Sequence, residues 1–413
     1  MIHFWQLPDI RNYIILNEDF KKNILEKAKN TNFEYKIIRR LRRNRIKVQT
    51  IKEISKKLNV SLDSVEKEIN WIGALNSKGL TKPKLPFDLN CRQGARFIAA
   101  IVNDGCLVKE GINSYGRLLY SNTDETIRGS VIRDYVEAFG GSPNEVAFRN
   151  NIKNKYLEFT SLIRDIIFLI LKEKGFKSES NLEVPNFILN NKYNMIGWIE
   201  QTIADEGNIN YYLERYRRAI VWKRALDITN ILDQKITNEI PFRKLPKNLQ
   251  TKISGKKCRL IEADLFMLNK LGINYKTYIE KIYPIKNGRI RSLWIIHITQ
   301  RENLIKLRQL IMIPSKSKDS LFTKMCNEFQ RYKEPLIIKQ AIIELGMNNK
   351  IFTSKDLQTK MNYKNLNATH KWLTKFENEK LIKKIKKPIY GRGYYRKPAE
   401  YILNGSNTLT YDL

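Results

Sequence analysis

The sequence predicts an α+β protein of several domains, in which a central unit of helices and antiparallel strands occurs twice between two smaller helical modules. Three observations lead to this prediction. The chain has 413 residues, which is longer than a chain folded around a single hydrophobic core normally is, and 42% of its residues are apolar. Between residues 91 and 330, helical segments alternate with hairpin-like strand pairs, and two of the helical segments are related in sequence. Segments rich in Lys and Arg, with apolar residues at helical spacing, lie on either side of this central region.

We expect four domains with boundaries at changes in composition. They are an N-terminal helical region with a helix-turn-helix (1–90), a first central half-domain (91–190), a second central half-domain (191–332) and a C-terminal winged-helix domain (333–413).

The charge of the chain points to a polyanionic partner. Lys and Arg number 75 against 42 Asp and Glu, which gives a net charge of +33. Such an excess costs self-repulsion in the compact state, and the basic residues also cluster along the chain. A general lysine excess from an AT-rich genome is the alternative explanation. We favour double-stranded DNA as the partner because of the clustering.

Several other classes of protein fit poorly. The cysteines form no CxxC pair and indicate reduced thiols, and the histidines are too far apart in sequence for a zinc finger. These residues are Cys91, Cys106, Cys258 and Cys326, and His3, His297 and His370. The apolar run Asp165–Lys172 is too short to span a bilayer, and no signal peptide or nucleotide-binding glycine loop is recognisable. We therefore expect a cytoplasmic protein without a membrane segment or a nucleotide cofactor.

Near the N terminus, seven basic residues between Lys36 and Lys47 precede a predicted pair of short helices. The first helix should end at Asn59, a residue type that tolerates the left-handed conformation, and Ser61 should cap the second helix. Leu62, Val65 and Ile69 would then lie on one face of the second helix. This is the helix-turn-helix pattern, with a plain helical hairpin as the alternative. In the first interpretation the second helix meets DNA through Ser61, Ser64 and Lys67.

The C-terminal region predicts three helices followed by a basic hairpin. The helices are expected at Leu336–Leu345, at Lys355–Met361 with Ser354 as its cap, and at Asn367–Leu381. The basic segment Lys383–Lys397 and a returning strand at Ala399–Leu403 complete the order of a winged helix. A charged surface tail is the alternative. The DNA contacts predicted in this module are Lys386, Lys387, Arg392 and Arg396.

The most specific signal is a pair of related segments in the centre. Phe97–Gly105 and Ile199–Gly207 each read as a helix that ends in a carboxylate and a glycine, followed by strands. Asp104 and Glu206 occupy equivalent positions in the two segments. A capped helix meeting a turn explains one such segment, but two copies with similar following strands indicate an internal repeat.

These segments resemble the signature of the LAGLIDADG (DOD-type) homing endonuclease family, here in a free-standing form with two motifs. Val184–Leu189 is similar to the proline-led segment before the family's second motif, and Leu268–Gly272 precedes the last hairpin as a family helix does. The resemblance covers roughly residues 90–320. It implies two αββαββα half-domains whose sheets form a β-saddle over DNA, in a monomer with internal pseudo-two-fold symmetry.

The resemblance also implies site residues. Asp104 and Glu206 would be the catalytic, metal-binding carboxylates for Mg²⁺ (or Mn²⁺), with Asp205 as an alternative ligand if the register shifts by one residue. Ala99, Ala100 and Ala204 would allow the two helices to pack closely. The second motif departs from the family pattern, because Gln201 stands where the family has glycine and Glu200 replaces a small or apolar residue.

Basic residues are expected beside the metal and on the strands that face DNA. Near the metal, the candidates are Lys153 or Lys155 in the first half and Lys223 or Lys281 in the second. The predicted DNA-facing residues are Arg117, Arg149, Lys153, Arg215, Arg217, Arg218, Lys223, Arg289 and Arg291.

Three functions are consistent with these features. The first is a site-specific, metal-dependent double-stranded DNA endonuclease of the LAGLIDADG homing type. The second is a DNA-binding transcription regulator that retains the LAGLIDADG fold without cleavage, as bacterial regulators with a degenerate LAGLIDADG domain joined to a helix-turn-helix do. The third is an RNA maturase, since some members of the family assist intron splicing.

Overall fold

The protein is an α+β chain with antiparallel sheets, described here by a computed structural model. The described residues are 1–8, 12–31, 33–75, 78–107, 116–150, 155–172, 182–212, 217–232, 236–256, 258–285, 288–330, 335–363, 366–388 and 398–404. The chain forms two compact units, Met1–Cys326 and Asn327–Leu413. Within the described part of the chain, every helix is too short or too polar to cross a membrane.

The N-terminal region combines four helices with a four-stranded antiparallel sheet in the order β2-β1-β3-β4. Its elements are β1 Asn12–Leu16, α1 Glu18–Lys29, α2 Tyr35–Leu41, β2 Ile46–Lys47, α3 Val48–Leu58, α4 Leu62–Glu66, β3 Ile69–Ala74 and β4 Leu80–Thr81. The region predicted as helical therefore also contains a sheet, which was not predicted. The partner strands β1 and β3 lie more than 50 residues apart in sequence, and helical periodicity carries no signal for such a pairing.

The local features of the two short helices α3 and α4 agree with the sequence. Asn59 ends α3 in the left-handed conformation, with φ 50°, and Ser61 Oγ accepts the backbone N–H of Ser64 at the start of α4. The second helix is shorter than predicted. Ile69 begins β3 instead of extending α4, because strand pairing with β1 buries its side chain.

The first central half follows the order helix, two strands, helix, two strands, helix. Its elements are α5 Arg92–Asp104, β5 Gly105–Leu107, β6 Leu118–Ser121, α6 Glu125–Phe139, β7 Ala147–Asn150, β8 Lys155–Phe159 and α7 Ser161–Leu171. The four strands form one antiparallel sheet in the order β5-β6-β8-β7.

The second central half repeats this order with insertions. Its elements are α8 Asn186–Leu189, α9 Lys192–Glu206, β9 Asn208–Tyr212, β10 Arg217–Asp227, β11 Ile240–Pro241, α10 Lys247–Ser254, α11 Arg259–Lys270, β12 Lys276–Pro284, β13 Ile290–Ile298 and α12 Arg301–Leu310, followed by α13 Lys316–Gln330. The sheet order is β11-β12-β13-β10-β9. If β11 is left aside, the second and fourth strands of this half, β10 and β13, pair in the middle of the sheet. The corresponding strands of the first half, β6 and β8, do the same.

Helices α5 and α9 pack along each other at the centre of this unit. Ala99, Ala100 and Ala204 are buried, as predicted for residues at a close helix contact. The two backbones approach closely at Gly197, where an added Cβ atom would clash with the carbonyl oxygen of Arg92. Glycine is therefore favoured at position 197, four residues before the position at which the family has glycine.

The C-terminal unit contains three helices and a small antiparallel sheet in the order β14-β16-β15. Its elements are α14 Pro335–Asn349, β14 Phe352–Thr353, α15 Ser354–Met361, α16 Leu366–Asn378, β15 Ile382–Lys386 and β16 Glu400–Leu403. The cap of α15 differs from the prediction. Thr353 Oγ1 and its backbone N–H both contact the carboxylate of Asp356, whereas Ser354 is a buried residue of the helix itself.

Candidate functional site

The carboxyl ends of α5 and α9 bring two acidic residues together. Asn122, which follows β6, donates from Nδ2 to Asp104 Oδ2 at 3.1 Å and to Asp205 Oδ1 at 3.4 Å. Asn103, next to Asp104 on α5, donates to Asp205 Oδ2 at 3.2 Å. The ends of the two motif helices are thus joined by hydrogen bonds, with Asp205 at the junction.

Asp205 is enclosed by donors from both halves. Its Oδ1 atom accepts the phenol of the buried Tyr120 at 2.6 Å and the Nε2 atom of Gln201 at 2.9 Å. Burial and, to a lesser extent, the negative charge of Asp104 together raise the pKa of Asp205 to about 7, although the hydrogen bonds that it accepts oppose the shift. The Nε2 atom of Gln201 therefore has polar partners in the core, whereas its Oε1 atom is buried without a hydrogen-bond partner among the described residues.

An open cavity of about 380 Å³ lies beside the two acids. Its lining consists of Asp104, Ser121, Asn122, Thr123, Asp124, Ile127, Lys155, Ala204, Asp205 and Lys318. Of the basic residues predicted near a metal, Lys155 lines this cavity, and Lys153 lies outside the described residues. Lys223 and Lys281 lie elsewhere, in ion pairs with Glu280 at 2.8 Å and Glu239 at 2.5 Å.

Lys318, on α13, is a cavity residue that the sequence analysis missed. Its Nζ atom donates to the carbonyl oxygens of Ala204 at 2.6 Å and Ile203 at 3.3 Å, at the end of α9. Burial lowers the pKa of the Lys318 ammonium, although Asp205 and Asp104 oppose the shift. No motif surrounds Lys318, and more than 110 residues separate it from α9 in sequence, so no local signal was available.

The start of α13 is fastened to the first half as well. Ser315 Oγ donates to Asp124 Oδ2 at 2.7 Å, and the backbone N–H of Lys316 donates to Thr126 Oγ1 at 3.1 Å. Because Lys318 also binds the end of α9, the beginning of α13 contacts both central halves beside the cavity.

Glu206 is the exposed last residue of α9. Its charge acts on Lys318 and on Arg224, so it belongs to the same electrostatic neighbourhood. The two helix ends therefore carry three carboxylates, Asp104, Asp205 and Glu206. The hydrogen bonds donated by Asn122 join Asp104 to Asp205, which was predicted as the alternative metal ligand.

A buried polar network supports the site from the second sheet. Arg224 on β10 donates to Asn103 Oδ1 at 2.6 Å and to Asp264 Oδ2 at 2.9 Å. Asp264 also accepts the indole N–H groups of Trp198 at 2.9 Å and Trp222 at 3.0 Å. Arg224 thereby orients Asn103, which in turn donates to Asp205. Such a network fixes side chains when every member has a partner.

The second departure from the family pattern, Glu200, is also accommodated. This fully buried carboxylate accepts Arg92 Nε at 3.0 Å and the backbone N–H of Met312 at 2.7 Å, and it lies 3.6 Å from Arg96 Nη1. Both arginines are on α5, so the ion pairs cross the helix interface. A buried charge is tolerated where it is paired and hydrogen-bonded.

Two of the predicted basic residues in the first half share one acidic partner. Exposed Arg117 and Arg149 each lie 3.2 Å from a carboxylate oxygen of Glu158 on β8. In the second sheet, Arg289 pairs with Asp227 at 3.9 Å, and Arg291 stands opposite Asp227 in the strand register.

Strand alternation separates two other predicted residues of β10. Lys223 is exposed, whereas its neighbours Trp222 and Arg224 point into the core. By the same alternation Arg218 lies on the side of Trp222, so it does not share a face with Lys223. Arg215 and the side chain of Arg217 lie outside the described part of the chain.

The predicted DNA contacts in the flanking modules are exposed where they are described. Ser61, Ser64 and Lys67 are exposed on and beside α4. Lys386 and Lys387 are exposed on and after β15, and Lys386 lies 3.5 Å from Glu400. Arg392 and Arg396 lie outside the described residues.

Comparisons with known proteins give weak likenesses. No family profile and no curated protein matches the sequence. The chain is similar to the homing endonuclease I-WcaI bound to its DNA recognition sequence, with 14% identity over 56% of this chain and 87% of that chain and a TM-score of 0.31. It is also similar to the N-terminal LAGLIDADG domain of DUF199/WhiA, with 10% identity over 57% and 90% of the two chains and a TM-score of 0.28. These TM-scores are too low to establish a shared fold.

Proposed function

We propose that the protein is a metal-dependent endonuclease that hydrolyses phosphodiester bonds in double-stranded DNA. The observation that carries the proposal is the pair Asp104 and Asp205, which share the amide of Asn122 beside an open cavity that also contains Lys155 and Lys318. A strongly basic chain, with a net charge of +33, suits a DNA substrate.

The donor set fits a hard divalent cation. Carboxylate oxygens are the ligands that Mg²⁺ and Mn²⁺ prefer, and Asp104, Asp205 and Glu206 supply them from adjacent helix ends. The charge of Asp104 also helps to raise the pKa of Asp205 to about 7, and a bound cation would relieve this repulsion. When bound, the metal would activate a water molecule and stabilise the leaving oxygen.

The surrounding residues have distinct roles in this proposal. Asn122 orients Asp104, and Tyr120 with Gln201 orients Asp205. Lys318 and Lys155 place positive charge in the cavity, where it would attract the scissile phosphate and stabilise the charge that develops on it. Asn122, Tyr120, Gln201 and Lys318 are held by hydrogen bonds before substrate binds, which lowers the cost of organising the site.

The remaining parts of the chain would lengthen the DNA contact. The two central sheets would form the saddle, the helices α3 and α4 would act as a helix-turn-helix, and the C-terminal unit would act as a winged helix. Exposed Ser64, Lys67 and Lys387 are candidates for contacts in these modules.

A second candidate is a DNA-binding regulator without cleavage, and one observation favours it. Asp205 accepts hydrogen bonds from Tyr120, Gln201, Asn122 and Asn103, which already occupies both of its oxygens. A carboxylate satisfied in this way can hold the two halves together without a metal. In that case the site is structural, and DNA binding alone is the function.

Cleavage of DNA by the purified protein distinguishes the two candidates. With genomic DNA and Mg²⁺ or Mn²⁺, we expect discrete double-strand breaks from the wild type and a loss of at least about 100-fold in Asp104→Asn. Asp19→Asn, an exposed carboxylate on α1, is the matched control and should cleave normally. Binding of all three proteins to DNA should be similar.

Other results would favour the alternatives. A footprint on DNA without cleavage in either metal, unchanged in Asp104→Asn, would overturn the endonuclease proposal and support the regulator. Preferential binding to structured RNA over duplex DNA would support the maturase.

A further inference from the structure

Three residues that are distant in sequence meet at the N-terminal region. His3, Asp63 and Glu66 each offer one ligand atom, and these atoms all lie within 4.8 Å of one another. His3 Nδ1 is 2.9 Å from Glu66 Oε2. His3 stands alone in the sequence, because about 60 residues separate it from its two acidic partners.

The backbone and ring of His3 are already fixed. Ile2 exchanges two backbone hydrogen bonds with Phe87, at 2.8 and 2.9 Å, which holds the chain immediately before His3. The imidazole stacks on Trp5 with ring centroids 4.2 Å apart. Stacking uses the ring face and leaves the ring edge open, where Nδ1 is directed at Glu66.

Glu66 is oriented in a similar way. This buried carboxylate accepts the backbone N–H of Phe4 at Oε1, at 3.0 Å, so that Oε2 faces His3. Hydrogen bonds that orient a ligating carboxylate are the usual support of a protein metal site. Asp63 is three residues earlier on α4, a spacing that puts the two carboxylates on one face of the helix.

From this geometry we propose that His3, Asp63 and Glu66 form a binding site for a borderline divalent transition metal, with Zn²⁺ as the first choice. Two ligands about 2.0–2.1 Å from a tetrahedral Zn²⁺ lie about 3.4 Å apart. The distance between His3 Nδ1 and Glu66 Oε2, 2.9 Å, is a few tenths of an ångström shorter than this. A small separation of the two side chains would therefore make room for the ion in place of the proton of the hydrogen bond. An imidazole nitrogen in the set favours Zn²⁺ over Mg²⁺, and water would complete the coordination.

Such an ion would fasten the start of the chain to α4. This helix carries the exposed Ser64 and is followed by Lys67, two of the predicted DNA contacts. The metal would therefore stabilise the N-terminal region and couple its folding to Zn²⁺. The proposal is independent of the endonuclease, because it uses none of the residues at the cavity.

Zn²⁺ titration of the untagged full-length chain tests the site. The background is Asp104→Asn, which weakens any metal binding at the cavity. Calorimetry of the metal-free protein should show one saturable Zn²⁺ site, and adding His3→Ala or Asp63→Asn should weaken it at least about tenfold. His370→Ala, which removes an exposed histidine of the C-terminal unit, should leave the affinity unchanged.

Two further measurements separate ligation from a general loss of structure. Zn²⁺ should raise the melting temperature of the Asp104→Asn protein above its own metal-free value, but it should leave that of the protein that also carries His3→Ala at its own metal-free value. Co²⁺ in place of Zn²⁺ should give visible absorption bands that depend on His3. The absence of a saturable site, or equal Zn²⁺ affinity with and without His3, would overturn the proposal whatever the outcome of the cleavage assay.

Discussion

Asp104 and Asp205 accept hydrogen bonds from the same amide nitrogen, that of Asn122, at 3.1 and 3.4 Å. The two acids are not equivalent in the repeated motif, since the counterpart of Asp104 is Glu206 and the counterpart of Asp205 is Asn103. Asn103 itself donates to Asp205. The centre of the helix pair is therefore asymmetric, with an amide on one side and a carboxylate on the other.

The ionisation of Asp205 should appear in the pH dependence of stability. Its pKa is about 7 in the folded protein and about 4 in an unfolded chain, so folding favours the protonated form. In metal-free protein, the wild type should lose stability relative to Asp205→Asn as the pH rises from about 4 to about 7, and the difference should level off above that. Melting temperatures of the two proteins across this range test the prediction. Parallel curves would contradict it.

A divalent cation should change this pH dependence. If Mg²⁺ binds the ionised pair of Asp104 and Asp205, it stabilises the form that is present at high pH. The rise in melting temperature on adding Mg²⁺ should therefore be larger at pH 8 than at pH 6. A rise that persists in full when both acids are replaced by asparagine would show that Mg²⁺ binds elsewhere.

Lys318 should matter more for cleavage than for binding. Lys318→Met removes a positive charge from the cavity while keeping most of the aliphatic volume, and we expect cleavage to slow by about 100-fold with little change in DNA affinity. Lys324→Met, an exposed lysine on the same helix, is the matched control. Single-turnover cleavage and equilibrium binding measure the two effects, and equal rates for both variants would exclude the role assigned to Lys318.

Close helix packing at Gly197 gives a stability prediction. Gly197→Ala would place a Cβ atom against the carbonyl of Arg92 and should lower the free energy of unfolding by about 1–3 kcal/mol. Gly129→Ala, on α6, meets no heavy atom closer than 3.6 Å and should raise it by about 0.4–1 kcal/mol. Urea unfolding of both variants distinguishes the sites, and a change of the same sign in both would be evidence against the tight contact.

The buried carboxylate Glu200 offers a comparison with an exposed ion pair. Glu200→Gln should cost roughly 3 kcal/mol, because Arg92 and Arg96 lose the charge that compensates them at the helix interface. Glu183→Gln removes the partner of Arg259 from a pair that is about half exposed, and should cost about 1 kcal/mol or less. Denaturant midpoints measure the difference. Similar small losses would indicate that the helix interface does not depend on Glu200.

DNA binding should depend strongly on salt. If eight phosphates are neutralised, the logarithm of the binding constant should fall with the logarithm of salt concentration with a slope of about −7. Fluorescence anisotropy between about 50 and 200 mM salt measures this slope. A flat response would mean that the positive charge of the chain does not serve phosphate contacts.

The features that sequence predicted well depend on neighbours in the chain. Asn59 in the left-handed conformation and Ser61 as a helix cap both follow from a few adjacent residues. The two motif helices were likewise recognisable from their own residues. The strand pair β1 and β3 was not, because its hydrogen bonds join segments more than 50 residues apart.

For the candidate site too, some features were predictable from the sequence and others depended on the tertiary structure. Sequence alone determined that an acid stands at the end of each motif helix and that the chain carries a large positive charge, since both are properties of residue order and composition. Only the tertiary structure decided that Asp205 is the acid joined to Asp104, that Gln201 and Glu200 find polar partners, and that Lys318 reaches the cavity. The physical reason is that pKa shifts, ion pairs and burial depend on distances of a few ångströms, and folding sets these distances between residues that are far apart along the chain.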